Sequence, residues 1–529
     1  MTSEEPSEPL AEAASSGRRG RPGRGDRGQR SSGPKLPQQR PFAQPRMRLR
    51  PTEVVSADEL ESIHVASLRI LSEIGMNFLD AESRGLLKAA GADVDEDTER
   101  VRFDPAMVTE LITTCPSTFT LHSRNPAHSL TIGGDHMAFG SVASPPNYIG
   151  LDGVRRPGDR EAFRDLLRLC QVFEIIHFVA GYPVEPADLH HSVRHLHAAF
   201  DVLTITDKPG HSYSLGRERN RDVLELTRIA RGVDHETLER EPSLFSVINS
   251  SSPLRLDTPM LQGIIELSSR NQVIVMTPFT LSGAMAPVTL AGAVSQQNAE
   301  ALAGMVFTQV VRKGAPVVYG GFTSNVDMQS GAPAFGTPEY VRTAMMGGQL
   351  ARRYNVPYRS SNANAANALD AQAAYESVFS LWGAVMGGVN MLMHGAGWME
   401  GGLHASIAKF VLDAELLGMV AAMLDPVVVD EGTLGFEAIR DVGPGGHFFG
   451  TQHTQDRYRT AFHRPMISDW RNYESWQDAG KPEAPAKAAQ LVTDFLASYE
   501  TPPMDDAVRE ELEAFVARRV AEGGVATDY

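Results

Sequence analysis

The stretch from residue 272 to residue 325 decides the fold class. It begins with QVIVMTPFTLSG (272–283), continues through the helical pattern AEALAGMVFTQVVRKG (299–314) and ends with PVVYGGFTSN (316–325). Two short apolar runs thus flank a helical segment, and each run leads into small polar residues and glycine. Because neighbouring parallel strands need a crossover connection, usually a helix, this order predicts a strand–helix–strand unit.

The same unit recurs along the chain. Apolar runs followed by turn-rich segments and helical patterns predict eight strands: HMAFGSV (136–142), IIHFVAGYP (175–183), VLTITDKPG (202–210), LFSVINSSSP (244–253), QVIVMTPFTLSG (272–283), PVVYGGFTSN (316–325), VPYRSSNAN (356–364) and VNMLMHGAGW (389–398). Eight alternating units predict an α/β fold and favour a closed (βα)8 TIM barrel over an open parallel sheet.

Composition varies along the chain and predicts four parts. The first 50 residues hold eleven Lys and Arg against five Asp and Glu, a charge of +6 (11 − 5), so the rest of the chain carries −22 (−16 − 6). After them, Ser56 and Glu59 form a capping-box pattern that opens a helix. The predicted parts are a disordered Gly/Pro/Arg-rich basic tail (1–50), an N-terminal helical region (51–130), the barrel (131–455) and a C-terminal helical extension packed on the barrel (456–529).

Several classes of protein are disfavoured by composition. The two cysteines, Cys115 and Cys170, provide no disulfide framework and are interpreted as buried small apolar residues, which suits the cytoplasm. No apolar run is long enough to span a membrane, and no signal peptide opens the chain, so neither membrane insertion nor export is expected. The tail could be a nucleic-acid-binding arm, but no aromatic residue is interleaved before Phe42, and no nucleic-acid partner is predicted.

Candidate site residues follow the predicted strands, because active sites of such barrels lie where strands lead into helices. In SSNANAAN (360–367), Asn362 and Asn364 can face this mouth, whereas Asn367 can cap the next helix by pairing with Asp370. The alternative is that all three asparagines only make turns.

Aromatic residues near the same strand ends suggest a cation site. Phe322, Tyr148, Trp398 and the HFFG segment (447–450) could line a cage for a methylated ammonium group, since aromatic faces attract cations. The alternative is that each ring belongs to the core.

A metal centre is not predicted. His191 and His195 have the i, i+4 spacing of zinc ligands, but without nearby thiolates we interpret them as a solvent-facing histidine pair. The sequence also lacks HExxH, CxxC, P-loop and GxSxG motifs.

Longer motifs carry a resemblance that runs from about residue 50 to near the C terminus. They are GFTSNVDMQSGAPAFGTPE (321–339), DAQAAYE (370–376), HGAGWMEGGLHAS (394–406), DAELLGMV (413–420) and GPGGHFFGTQHTQDRYRTAFHRPMISDWRNYESW (443–476). In this order they resemble the trimethylamine methyltransferase family of corrinoid-dependent enzymes. The resemblance implies a (βα)8 barrel that moves a methyl group from a methylated amine to Co(I) of cobalamin carried by a separate corrinoid protein.

The resemblance is to the branch of that family that lacks pyrrolysine. Members that use trimethylamine carry pyrrolysine in the barrel, whereas this chain contains only the standard twenty amino acids. The resemblance therefore implies a quaternary amine such as glycine betaine as the methyl donor. Displacing a methyl group from a quaternary nitrogen releases a neutral amine, so no side chain has to activate the leaving group.

Roles are assigned to residues at the strand ends on this basis. Asn362 and His394 are expected to hold a substrate carboxylate, and Glu400 or Asp327 to offset the ammonium charge or position a loop. Phe322, Trp398 and Phe449 are expected to contact the cation. Further candidates for substrate binding are Asn325, Asn364 and Tyr148.

Two other functions stay open, as does the assembly. The barrel could pass the methyl group directly to tetrahydrofolate, or it could be a non-catalytic binding protein for a quaternary amine. GPGGHFFG (443–450) could form a backbone nest for an anion or be a plain glycine-rich loop. A homo-oligomer is expected; the C-terminal helices could mediate self-association, although covering the barrel is the favoured interpretation.

Overall fold

The structure, a computed structural model, describes residues 36–526. The basic tail predicted over residues 1–50 lies outside the described residues except for residues 36–50. This short segment is bonded to the rest of the chain: Gln44 accepts a hydrogen bond from the Thr131 amide at 2.8 Å, and the Met47 amide donates to the Asp135 carbonyl at 2.7 Å. Within residues 36–526, no helix combines the length and the apolar character that crossing a membrane requires.

A seven-stranded sheet forms the centre of the fold. Its strands are β1 (Ala138–Ser141), β2 (Gly210–His211), β3 (Leu244–Ile248), β4 (Val273–Met276), β5 (Val317–Gly320), β6 (Tyr358–Ser361) and β7 (Met391–Ala396). All neighbours pair in parallel, in the spatial order β1-β7-β6-β5-β4-β3-β2. Strands β4 and β5 are buried at every position, as expected for parallel strands covered on both faces.

Two of the eight predicted strands differ from the structure. In the run 175–183, only Phe178 forms a bridge, to Gly140. In the run 202–210, the first four residues belong to helix Arg194–Ile205, and only Gly210 belongs to a strand. A short apolar run does not distinguish a strand from the buried face of a helix, which is what VLTI forms here.

The segment around Phe178 nevertheless lies between β1 and β2. The His177 amide donates to the Phe139 carbonyl at 2.7 Å, and the Val179 amide donates to the Pro209 carbonyl at 3.0 Å. Residues 177–179 therefore bond to edge strand β1 and to Pro209, the residue directly before edge strand β2.

Helices connect and cover the strands. The α-helices before β5 are Ala57–Arg69, Ala81–Ala89, Pro105–Ile112, Arg160–Val172, Arg194–Ile205, Arg217–Arg231, His235–Arg240, Thr258–Ser269 and Leu290–Val311. Those after β5 are Pro338–Tyr354, Ala371–Met386, Ile407–Met423, Glu431–Leu434, Phe436–Val442, Gln452–Arg457, Tyr473–Asp478, Ala484–Ala497 and Asp506–Ala521. The crossover predicted between the two runs of the opening stretch is Leu290–Val311, which is buried over most of its length.

The N-terminal region predicted to be helical also contains strands. Its first helix begins with the predicted capping box, in which the Glu59 amide donates to Ser56 Oγ and the Ser56 amide donates to the Glu59 carboxylate. Short strands follow at Met76–Phe78, Asp93–Asp95, Arg100–Arg102, Thr118–Leu121 and Leu130–Gly133. Strands of three or four residues carry too little alternation to be recognised against the helical pattern around them.

The last two helices pack against the helices around the sheet. In Ala484–Ala497, the Phe495 ring lies 4.4 Å from that of Phe173, and in Asp506–Ala521, Arg519 pairs with Asp222 at 2.7 Å. Both helices thus pack on elements that flank the central sheet. Before them, residues 426–482 form four short helices and bury only Ile467.

Candidate active site

A cavity of about 250 Å³ opens at the carboxyl ends of the parallel strands. Residues at or just after five consecutive strands contribute to its lining: Asn249, Thr277, Phe322, Arg359 and His394. Because strand ends of a parallel sheet meet at one edge, residues far apart in sequence converge here. The loop that follows β7 completes the wall with Trp398, Gly401 and Gly402.

Aromatic rings form one side of the cavity. Phe322 stacks on Phe279 with 5.4 Å between ring centroids and meets Trp398 edge-on at 5.8 Å. The imidazole of His394 stacks on Trp398 at 5.0 Å, and Tyr213 lines another part of the wall. This arrangement offers aromatic surface to a cation of small size.

Arg359 provides a positive charge in the same cavity. Its side chain is only 2% exposed, and its Nη1 donates to the Gly321 carbonyl at 3.3 Å, while Nε has no hydrogen-bond partner among the described residues. Within residues 36–526, no carboxylate pairs with this guanidinium. Burial lowers the pKa of Arg359 to about 10, so it is charged at neutral pH. A buried charge without a counter-ion is costly, which indicates an anionic group on the ligand.

His394 is held as a neutral imidazole. Its Nδ1 lies 3.1 Å from Ser361 Oγ, and burial together with the nearby charge of Arg359 lowers the pKa of His394 well below its ordinary value. Its backbone φ of 55° lies in the left-handed region, which few residues other than glycine adopt. His394 lies within β7, where the pairing with β1 shifts register, and a strained backbone of this kind is typical of functional sites.

His211 adds a second neutral imidazole to the lining. The Val247 amide donates to His211 Nε2 at 3.1 Å, so the ring proton lies on Nδ1, which has no partner within the described chain. Burial lowers the pKa of His211 to about 3. Its ring meets that of Tyr213 edge-on at 4.4 Å, so both residues belong to the same wall.

The two predicted asparagines lie beside the cavity, and their side chains form hydrogen bonds with backbone groups. Asn362 Nδ2 donates to the Gly395 carbonyl at 3.1 Å, and its Oδ1 has no hydrogen-bond partner in the part of the chain that the structure describes. Asn364 accepts from the Ala366 amide at 3.0 Å and donates to the Ala373 carbonyl at 2.9 Å. Neither residue lines the cavity, and both are fully buried.

The helix after these asparagines is capped differently from the prediction. Asp370 itself is the N-cap, and its carboxylate accepts hydrogen bonds from the Gln372 and Ala373 amides at 2.8 and 3.3 Å. The predicted cap at Asn367 is therefore wrong, because the helix begins at Ala371 and an N-cap side chain must lie directly before the first turn.

Predicted charged residues are bonded locally outside the cavity. Asp327 accepts from the Gln329 and Ser330 amides, each at 3.1 Å, and thereby closes a turn. Glu400 pairs with Arg155 at 2.9 Å and with His404 at 2.8 Å. Neither carboxylate is available in the cavity to offset an ammonium charge.

Three other predicted residues also lie elsewhere. Asn325 accepts from Thr337 Oγ1 at 3.0 Å, and the Tyr148 hydroxyl donates to Asp159 at 3.3 Å. Phe449 is 79% exposed within residues 426–482. The structure thus brings together Phe322, His394 and Trp398 of the predicted set.

The histidine pair is arranged differently from its interpretation. His195 is buried and its Nε2 lies 2.8 Å from Asp222 Oδ2, while His191 precedes the helix that begins at Arg194. The interpretation as a solvent-facing pair is therefore wrong for His195, since the acidic partner allows a polar ring to be buried. Cys115 and Cys170 are both free and buried, and burial raises the pKa of each thiol to about 12.

Comparison with known proteins identifies the family. The family model described as trimethylamine methyltransferase (MTTB) matches residues 19–524. This chain belongs to the trimethylamine methyltransferase family.

Two relatives and one solved structure match this chain over most of its length. A glycine betaine methyltransferase of Desulfitobacterium hafniense strain Y51 is 33% identical over 89% of this chain and 98% of its own. The trimethylamine methyltransferase MttB of strain DSM 10664 / DCB-2 is 29% identical over 89% of this chain and 95% of its own. The crystal structure of the Methanosarcina barkeri monomethylamine methyltransferase (MtmB) matches 86% of this chain and 93% of that one, with 12% identity and a TM-score of 0.46.

Proposed function

We propose that the protein takes a methyl group from a quaternary amine bearing a carboxylate, of the glycine betaine type, and transfers it to Co(I) of a corrinoid carried by a partner protein. The observation that carries the substrate class is Arg359, a buried guanidinium without a counter-ion in an aromatic-walled cavity. The name of the 33% identical relative, glycine betaine methyltransferase, agrees with it.

The cavity is complementary to a zwitterion. The substrate carboxylate would pair with Arg359, and the ammonium methyl groups would contact the aromatic surface of Phe279, Phe322 and Trp398. Choline and trimethylamine lack the carboxylate and would leave the guanidinium charge uncompensated. The same feature therefore selects for betaines and against other methylated amines.

The bond change needs no proton donor in the protein. The N–CH3 bond breaks with its electron pair remaining on nitrogen, so a neutral tertiary amine leaves, and the acceptor supplies the pair for the new bond to carbon. His394, held neutral, neither protonates the amine nor adds charge to the cavity. The residues of the wall bind and orient the amine, which brings its methyl group in line with the acceptor. They also exclude water from the cavity.

The dimensions of the cavity suit an acceptor that remains outside it. A space of about 250 Å³ holds a small amine but not a corrin macrocycle. The rim includes Gly402, where a Cβ atom would lie 2.8 Å from the Trp398 ring, so this edge has no room for a larger residue. A bound corrin supplies the nucleophilic low-valent cobalt, and the surface around the rim would receive its carrier protein transiently.

We also propose that the sheet is a closed (βα)8 barrel in which residues 177–179 act as the eighth strand. Their hydrogen bonds to Phe139 in β1 and to Pro209, directly before β2, bridge the gap between the two edges of the sheet and support this closure. We expect the protein to work in the cytoplasm, since both cysteines are free.

The test is methyl transfer from a panel of donors to free cob(I)alamin, followed by its absorbance. Glycine betaine, proline betaine and carnitine carry carboxylates, whereas choline and trimethylamine do not. The proposal predicts turnover with at least one carboxylate-bearing amine and none with the other two. Calorimetric binding of a betaine without methylation of cobalamin would contradict the corrinoid acceptor, and methylation of tetrahydrofolate in its place would establish the folate reaction.

A further inference from the structure

Residues 426–482, which we name the arm, have almost no core of their own. The arm contains four short helices, none longer than seven residues, and of its residues only Ile467 is buried. Helices of this length are unstable in water without tertiary packing. Within a single chain, few contacts therefore hold the arm; among them, the Met466 amide donates to the Glu415 carboxylate at 2.9 Å and Lys487 Nζ donates to the Ile467 carbonyl at 3.0 Å.

The arm also exposes an unusual amount of apolar surface. Twelve large apolar side chains of the arm are exposed, on average by about two-thirds; Phe436, Phe462, Trp470 and Tyr473 are among them. A free aromatic side chain presents roughly 150–250 Å², so the seven aromatic residues among them alone present on the order of 1,000 Å². The largest apolar patch of a typical monomer is about 300–600 Å², and a stable interface buries about 800 Å² per partner.

A second exposed apolar surface lies on helix Ala371–Met386. Tyr375, Val378, Phe379 and Trp382, which we name the stripe, follow the i, i+3, i+4, i+7 spacing of one helix face and are 38–60% exposed. The one charged residue of this helix, Glu376, is buried and accepts hydrogen bonds from the Ala365 and Ala366 amides. The face that carries the stripe is therefore apolar and uncharged.

We propose that the protein is a dimer in which the arm of each copy covers the stripe of the other. In a single chain, both the arm and the stripe are exposed to solvent. A two-fold axis lets the arm of each copy cover the stripe of the other, which closes the assembly at two chains. The arm holds six Lys and Arg against eight Asp and Glu, a charge of −2 (6 − 8), within a chain of −16. Contact between the arm and an uncharged stripe thus avoids much of the repulsion between two acidic chains.

The corrinoid carrier does not suit the arm as its occupant. The carrier must leave after each methyl transfer, so it would uncover the arm in every cycle. An apolar surface of this size is typical of permanent interfaces rather than transient ones. A second copy of the same chain is always present and covers the arm continuously. This inference does not depend on which amine is the substrate.

The test is sedimentation velocity of the full chain and of three variants at micromolar concentration. We expect the unmodified protein to sediment with the mass of two chains. The arm variant F462D/W470D and the stripe variant W382D should each sediment as single chains. The control V65D places the same charge on an exposed residue of helix Ala57–Arg69, outside both surfaces, and should remain a dimer. A dimer with either variant would overturn the pairing of arm and stripe.

Hydrogen–deuterium exchange of the unmodified protein provides a second test that needs no substitution. Amides of the arm and of helix Ala371–Met386 should be protected at high protein concentration and lose protection together on dilution. An unmodified protein that is a single chain at tens of micromolar would overturn the proposal. So would an arm that gains protection only when the corrinoid protein is added, which would assign it to that partner.

Discussion

The guanidinium of Arg359 lies over the ring of Phe322, with 5.4 Å between the guanidinium carbon and the ring centroid. An aromatic face attracts a cation but does not neutralise it, so the buried charge still lacks an anion. The contact also fixes the guanidinium beside the aromatic wall, where it can meet the carboxylate of a ligand whose ammonium group contacts the rings. Charge and aromatic surface thus act on opposite ends of one small molecule.

Replacing Arg359 by Met should lower kcat/KM for a carboxylate-bearing amine at least 100-fold, or about 2.7 kcal/mol. Methionine retains much of the volume but removes the charge that holds the carboxylate. R353M is the matched control, because Arg353 pairs with Glu61 away from the cavity. Steady-state kinetics of the three proteins make the comparison, and equal kcat/KM values for R359M and R353M would exclude Arg359 as the carboxylate site.

Replacing Trp398 by Leu should weaken binding of the quaternary amine by roughly 10–30-fold, since a desolvated cation–π contact contributes about 2 kcal/mol. F335L is the control: Phe335 packs edge-on against Trp398 at 5.6 Å but does not line the cavity. Calorimetric titration should show near-normal affinity for F335L. If both variants bind equally weakly, Trp398 acts through packing and not through the cation.

The kcat/KM of the enzyme should be independent of pH between about 6 and 9. The pKa of His394 lies well below its ordinary value of 6.5, so the imidazole is already neutral at the lower limit and takes up a proton only in stronger acid. The pKa of Arg359 is about 10, so its charge persists to the upper limit. An inflection near pH 6.5 that disappears in H394N would show that His394 titrates during the reaction; Asn tolerates the left-handed backbone at this position.

The buried pair of Lys409 and Asp413 should position the Trp398 loop. Lys409 Nζ lies 2.6 Å from Asp413 Oδ2, and Asp413 also accepts a hydrogen bond from the Gly397 amide at 2.8 Å. D413A should lower the free energy of unfolding by about 3–5 kcal/mol, because the ammonium of Lys409 loses its buried partner. The double variant K409M/D413L removes both charges and should recover most of this loss in urea unfolding.

The same double variant separates stability from positioning. Without Asp413, the Gly397 amide lacks its acceptor, so affinity for the amine should remain reduced even where stability recovers. Full recovery of both quantities would mean that the pair has no role in placing Trp398.

The sequence predicted the α/β class because strand and helix patterns alternate over most of the chain. It failed at VLTI (202–205), where four apolar residues form the end of a helix, and at 175–183, where backbone bonds form without a regular strand. Both cases depend on tertiary contacts that a short apolar run does not encode.

Site residues were predictable where they lie at the end of a predicted strand. Phe322 and Trp398 come two residues after β5 and β7, His394 lies in the second half of β7, and all three line the cavity. Arg359 and His211 were missed. Arg359 lies inside the predicted strand VPYRSSNAN (356–364), and His211 comes directly after VLTITDKPG (202–210), which was predicted to be a strand. The informative signal was available for Arg359: it is the one charged residue in VPYRSSNAN, and a charge inside a buried strand requires a partner.

The most direct measurement is the rate of cob(I)alamin methylation with glycine betaine and with choline, at equal concentration, by the unmodified enzyme and by R359M. The two donors share the trimethylammonium group and differ in the carboxylate. We predict turnover with glycine betaine only, and its loss in R359M. Equal rates with both donors, or glycine betaine turnover that survives in R359M, would contradict the recognition of a carboxylate by Arg359.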